Sequence, residues 1–143
     1  MFDASPDLSP LLLVVSFGRA QVRSTRHAVA RAVAAAGLTG TRADDFVLAV
    51  NELITNAVRH AGGRGRLLLG LAGSAIACDI IDTGGGIPAS RLRRHELPAE
   101  FAVGGRGIWL ARHLCDLFQV ETGPHGTTIR VAVALPSGVP GVG

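Results

Sequence analysis

Lysine is missing from this chain: all 14 of its basic residues are arginine. That absence excludes a P-loop, which needs a lysine on the β- and γ-phosphates, and the strand lysine of eukaryote-like protein kinases. It also excludes Schiff-base chemistry. Any phosphate chemistry must therefore run on backbone amides, arginine and metal. Tyrosine is absent too, and aromatic residues make up only 4% of the chain. The formal charge of +3 therefore comes without an aromatic stripe, and among the arginines only Arg91, Arg93 and Arg94 cluster. No direct contact with nucleic acid is expected. The two cysteines, Cys78 and Cys115, sit in apolar segments with no metal-ligand spacing and read as buried thiols, not as a disulfide or redox pair. No apolar run reaches the ~18 residues of a membrane span. The run from Leu11 to Val15 is too short, and it follows Asp3 and Asp7 where a targeting segment would be basic. No membrane association is expected, and a cytoplasmic location is.

What is present suits one domain around one core. The chain has 143 residues, 48% of them hydrophobic, and at this size roughly two-thirds of the unfolded surface is buried without a disulfide or metal staple. Residues 1–10 read as a flexible lead-in, 11–135 as the folded domain and 136–143 as a disordered tail. Leu11 to Phe17 is apolar and β-branched enough for a first strand. Arg23 to Ala36 is an Ala-rich helix closed by Gly37. Thr41 or Asp44 caps a second helix that runs to about Ala61 and ends at Gly62-Gly63. Arg66 to Ala72 and Ala75 to Ile81 form a hairpin turned at Gly73-Ser74. Pro88 to Val103 reads as a loop or lid. Gly107 to Asp116 forms a third helix, and strands follow near Phe118 to Glu121 and Thr127 to Leu135. This order argues against a doubly wound parallel sheet. It fits an α+β fold, a two-layer sandwich with helices on one face of a mixed sheet.

Four short patches carry chemistry. On the second helix Val47, Val50, Ile54, Ala57, Val58 and Ala61 share one face, while Asp45, Glu52, Asn56 and Arg59 lie opposite with His60 towards the edge. The polar side is either a solvated face or a site. Asparagine is a poor choice for an exposed mid-helix position, whereas the Asn56 amide oxygen suits a hard cation such as Mg²⁺. Glu52, one turn earlier, is placed to accept a proton from an attacking hydroxyl or water. Asp82 leaves a hydrophobic strand into Thr83-Gly84-Gly85-Gly86, which is a turn or a pocket base where the carboxylate accepts from an adenine amino group and the glycines admit the ring closely. Gly104-Gly105-Arg106-Gly107-Ile108 opens the third helix. Such an N-terminus can cradle phosphate with its free amides, and Arg106 either adds a guanidinium or is merely solvated. Trp109 on the same helix reads as core. Gly126-Thr127-Thr128 is a hairpin start, or a place where the Thr127 hydroxyl fixes Asp82 and a bridging water.

Taken together, these residues resemble the GHKL (Bergerat-type) ATP-binding superfamily. Glu52-x-x-x-Asn56 is similar to its N box, Asp82-x-Gly84-x-Gly86 to its G1 box, Gly105-x-Gly107 to its G2 box and Gly126-Thr127 to its G3 box. The resemblance spans roughly residues 11–135. Within it, ELITNAVRHA and GGRGIWLARHLCD resemble the RsbW/SpoIIAB-type anti-sigma-factor serine kinases, and the all-Arg, Ala/Gly-rich composition agrees with a high-GC bacterial origin. The resemblance implies Mg-ATP as cofactor, with Glu52 catalytic and Asn56 as the metal ligand. It implies nucleotide contacts from Asn56, Arg59, His60, Asp82, Gly84, Gly86, Gly105, Arg106, Gly107, Ile108 and Thr127. It also implies a homodimer that holds a sigma factor and phosphorylates a small anti-anti-sigma protein. A histidine-kinase reading is poorer, because no phospho-accepting helical hairpin precedes the domain. The leading expectation is a serine/threonine kinase in a partner-switching circuit; the alternative is a non-catalytic, nucleotide-gated module that sequesters its partner.

Overall fold

Strand alternation and helical periodicity set two layers. A computed structural model describes residues 7–60, 63–82, 105–124 and 126–136. Their elements run β1 (Leu11–Gly18), a 3-10 turn (Arg19–Gln21), α1 (Val22–Ala35), α2 (Gly40–His60), β2 (Arg64–Ala72), β3 (Ala75–Asp82), α3 (Gly105–Leu114), β4 (Leu117–Gly123) and β5 (Gly126–Ala134). The five strands form one sheet in the order β1-β2-β3-β5-β4. All four pairings are antiparallel. The two-layer α+β architecture is as expected, but the sheet is not mixed. Each of β2–β3 and β4–β5 is a hairpin, and β5 inserts beside β3, so no parallel crossover is needed. Ala61, Gly62, Gly84, Gly86, the segment Pro88 to Val103 and the tail from residue 137 lie outside the described residues.

The helices cover one face only. Leu67 and Leu69 of β2, Ile76, Cys78 and Ile80 of β3, and Ile129, Val131 and Val133 of β5 alternate inward and are buried. Against them α2 lays Phe46, Ala49, Val50, Leu53, Ile54, Ala57 and Val58, the spacing of one wide apolar stripe. α1 adds Val29 and Val33 and stops where Gly37 takes a φ of 104°, the left-handed position anticipated for it. α3 buries Ile108 and Ala111, but Trp109 lies only half-buried and stacks on His113 with ring centroids 4.3 Å apart. One residue past Ile108, it has turned about 100° off the buried stripe. Arg112 caps the Phe118 ring of β4 at 4.7 Å, tying α3 to the sheet.

The other face carries a row of alanines and an ion pair between neighbouring strands. Arg130 meets Asp79 on the neighbouring strand through two hydrogen bonds of 2.7 and 2.9 Å, with side chains only 8% and 13% exposed. Near the β1 edge the segment before Leu11 crosses Gly70, where a Cβ would stand 2.8 Å from the Pro10 carbonyl oxygen and 2.9 Å from Leu8. Ser9 donates to the Leu71 carbonyl and Leu71 donates back to that of Pro10. Both cysteines are free thiols. Burial raises Cys78 well above its ordinary value and pushes Cys115 up to about 12, so neither is a nucleophile at neutral pH. No helix among the described residues is long and apolar enough to cross a membrane.

Candidate nucleotide site

The four patches meet in two pairs, Asp82 with Thr127 across β3 and β5, and Gly107 with Glu52 where α3 crosses α2. α2 ends at His60, and β2 starts at Arg64 beside the end of β3, where Arg66 pairs with Ile81. The C-terminal end of α2 therefore reaches the sheet where Asp82 stands. Asp82 shares the face of Ile80 and Cys78, so its carboxylate is on the helix side. Directly across from it on β5 is Thr127, and across from Thr127 on β4 is Thr122. Thr127 is buried, and its Oγ1 lies 2.7 Å from that of Thr122. Thr122 was not singled out in the sequence. Its only local signal is a strand-favouring hydroxyl five residues before Thr127, and the pairing that matters is set by the β4–β5 hairpin.

Glu52 and Asn56 lie one turn apart on α2, and both are half-buried. A merely solvated face does not fit them, because α3 crosses α2 there. A Cβ on Gly107 would stand 3.0 Å from the Glu52 carbonyl oxygen and 3.5 Å from the Glu52 Cβ. The glycine read as a phosphate cradle is thus also the seat of one helix on another. It brings the first turn of α3, the positive end of its dipole, against the turn of α2 that carries Glu52. The Asn56 Oδ1 is buried and has no hydrogen-bond partner among the described residues. An orphaned amide oxygen in that position is costly unless a ligand or hard cation completes it. No cluster of three or more His, Cys, Asp or Glu is found among the described residues. A cation held by Asn56 would take its remaining ligands from phosphate oxygens and water, which is how Mg²⁺ is usually bound. The residues fit Mg-ATP on these grounds.

The remaining residues divide. Arg59 is exposed on the same helix, His60 is the last residue of α2, and Gly105 and Arg106 form the first turn of α3. Ile108 is buried. Gly84 and Gly86 fall between β3 and α3, outside the described residues. A cavity of about 560 Å³ opens beside Asp82, walled by Ser16, Gln21, Arg64 and Arg66 among others. It includes none of Glu52, Asn56, Gly107 or Thr127, so it adjoins the site without containing its phosphate side. Gly65 is required there, since a Cβ would stand 2.7 Å from the Ile81 carbonyl oxygen and 2.8 Å from the Phe17 ring.

Among solved structures the chain is similar to the histidine kinase domain of the Erythrobacter litoralis EL346 blue-light activated histidine kinase, at 20% identity and a TM-score of 0.49, covering 80% of this chain and 65% of that one. It is also similar to the Erythrobacter litoralis EL346 blue-light activated histidine kinase, at 23% identity and a TM-score of 0.49, covering 78% of this chain and 41% of that one. The chain spans less than two thirds of either. No curated protein matches. Residues 15–133 match the model of the histidine kinase-like ATPase domain, and the chain belongs to that ATP-binding family.

Proposed function

We propose that the protein is a Mg-ATP-dependent serine/threonine kinase that phosphorylates a small anti-anti-sigma protein and holds a sigma factor in the same partner-switching circuit. The observation that carries this reading is the seating of α3 on the Glu52 turn of α2, where a Cβ on Gly107 would meet the Glu52 carbonyl oxygen and Cβ. ATP supplies the phosphoryl group when bound. The chain's own part is positioning and charge neutralisation. Glu52 orients the acceptor hydroxyl and takes its proton. Asn56 holds Mg²⁺ through Oδ1. The amides at Gly105 and Gly107 receive phosphate oxygens, with Arg59, His60 and Arg106 at the rim. Asp82 accepts from the adenine amino group, and Thr127 completes the base contact. A homodimer across the helix-free sheet face, in the cytoplasm, completes the proposal. The alanine floor there is flanked by exposed Leu11, Val14 and Leu117, which favours a second copy as its cover.

The test uses purified full chain as bait, loaded with ATP, in lysate of its own source, beside Glu52→Ala and Asp82→Ala. The expected result is capture of a small protein carrying about 80 Da of added mass, the weight of one phosphoryl group. Glu52→Ala should bind ATP and capture the partner without adding mass, and Asp82→Ala should lose ATP binding. An ATP-dependent partner of unchanged mass with the wild type would overturn the kinase reading in favour of the sequestering module. Transfer by Glu52→Ala at the wild-type rate would remove that residue from the mechanism.

A further inference from the structure

We propose that the cavity at the ends of β1, β2 and β3 is a second binding site, fitted to a phosphate monoester and separate from the nucleotide site. This site goes beyond the nucleotide reading and does not depend on it. Its volume of about 560 Å³ lies within the range of small-molecule sites. Glu52, Asn56, Gly107 and Thr127 take no part in its wall. Arg64 and Arg66 do, and as alternate residues of β2 they share one face of the sheet. Across from Arg66 stand Ser16 on β1 and Ile81 on β3, and across from Arg64 stands Gly18. Leu67 and Leu69 are buried under the helices, so the arginines belong to the opposite, helix-free face. Asp82, next in the chain after Ile81, takes the helix side and is the one acid in the wall.

The wall is rich in donors and poor in acceptors. Arg130 is held by Asp79 and Arg42 by Asp116, but Arg64 and Arg66 are exposed and make no hydrogen bond or ion pair with any described residue. Gln21 commits its side-chain oxygen to the Gly18 amide at 2.8 Å, which leaves its NH₂ group as a further donor. Ser16 adds a hydroxyl, and Gly18 adds no side chain, so the space beside Arg64 stays open. Alternate residues of a strand lie about 7 Å apart at Cα, near enough for both guanidinium groups to close on one anion. Arginine suits phosphate and carboxylate alike, because its fork bonds two oxygens at once. The charge decides between them: a phosphate dianion neutralises both arginines, whereas a carboxylate neutralises one. Inorganic phosphate alone would leave most of the cavity to water. The fitting ligand is therefore a phosphate ester, borne by a small metabolite or by a side chain of a phosphorylated protein, with Ile81 as apolar surface for its body.

The experiment is calorimetric titration of the full chain, with and without saturating Mg-ADP, at constant ionic strength because exposed charges are screened by salt. The probes are glycerol 3-phosphate, an acetylated glycine-phosphoserine-glycine peptide, and that peptide with glutamate in place of phosphoserine. A phosphate ester should bind saturably without displacement by Mg-ADP, and the glutamate peptide should bind far more weakly. Arg64→Gln and Arg66→Gln change exposed side chains and should fold as the wild type does. Each should weaken ester binding by about tenfold, the loss of one charge-assisted contact, and leave ADP affinity unchanged. Tighter binding of the phosphopeptide identifies a phosphorylated protein as the source, and tighter binding of glycerol 3-phosphate a metabolite. Absence of saturable ester binding, displacement by Mg-ADP, or glutamate binding as tight as that of phosphoserine would overturn the proposal. A fall in ADP affinity in either variant would do the same, since the arginines would then belong to the nucleotide site. Failure of the wild type to bind ADP would overturn the nucleotide reading alone, with the ester titration still deciding the second site.

Discussion

Arg130 and Asp79 form a nearly buried ion pair on a sheet face that no helix covers. The hydrogen bond that Arg130 donates to the Asp79 carboxylate is the main reason that its guanidinium holds its proton even more firmly than usual. Removing one partner of such a pair strands the other charge, which typically costs 3–5 kcal/mol, roughly the value to expect here. Asp79→Ala should therefore lower the urea midpoint sharply, whereas the double change Asp79→Leu with Arg130→Met should recover most of the loss. A double variant as unstable as the single one would show that the pair contributes net stability, not only an avoided penalty. Neither role was legible in the sequence. Asp79 reads there as a strand residue three before Asp82, and its partner is distant in the chain. Glu52, Asn56 and Asp82 stand out as candidates in the sequence because each breaks a local rule: a polar residue mid-helix, or a carboxylate at the end of an apolar strand. Thr122 breaks none and became visible only as a neighbour.

Elements were read well where period and punctuation agree. α2 and the β2–β3 hairpin lie where the apolar spacing and Gly73-Ser74 put them, although α2 begins at Gly40, so that neither Thr41 nor Asp44 is its cap, and β2 begins two residues early at Arg64. The antiparallel order was not legible, because the placement of β5 between β3 and β4 depends on long-range pairing and leaves no periodic trace. The packing of α2 against the sheet end has a further tie. Arg42, near its start, bonds Asp116 at 2.7 Å and the Ala134 carbonyl at 3.3 Å, while the Ala134 amide donates to Asp116 at 2.8 Å. That amide first, and then the Arg42 guanidinium, hold Asp116 below the usual carboxylate range despite some opposing burial. A carboxyl depressed in the folded state stabilises fully above its unfolded pKa, and the contribution is lost as pH falls through the depressed value. Asp116→Asn should lose roughly 0.5 kcal/mol at neutral pH, since exposed pairs are screened. The deficit should shrink as the pH is taken below about 4. Urea melts of both proteins at the two pH values check this, and an equal deficit at both would remove Asp116 from the acid response.

At the scale of the whole molecule the two sheet faces divide the work. One is covered by helices and carries the Asp82–Thr127–Thr122 rung; the other is an alanine floor with a cavity of about 210 Å³ near Leu117 and Gln119. Val14 is 51% exposed on that side of the edge strand β1. If a second copy covers the floor, Val14→Asp should turn a dimer into a monomer in sedimentation velocity without altering ADP affinity. A wild-type monomer at tens of micromolar, or a dimer that survives the aspartate, would move the partner elsewhere. The seat of Gly107 on Glu52 bears on lineages descended from such a chain. A copy released from its chemistry would still need a residue whose backbone and Cβ seat α3, a demand that most side chains at position 52 would meet. The glycine could not be exchanged as cheaply, because the crossing of two helices would still depend on it. In a diverging gene family the glycine would then persist as a relic of architecture, and the glutamate would record whether transfer is still under selection.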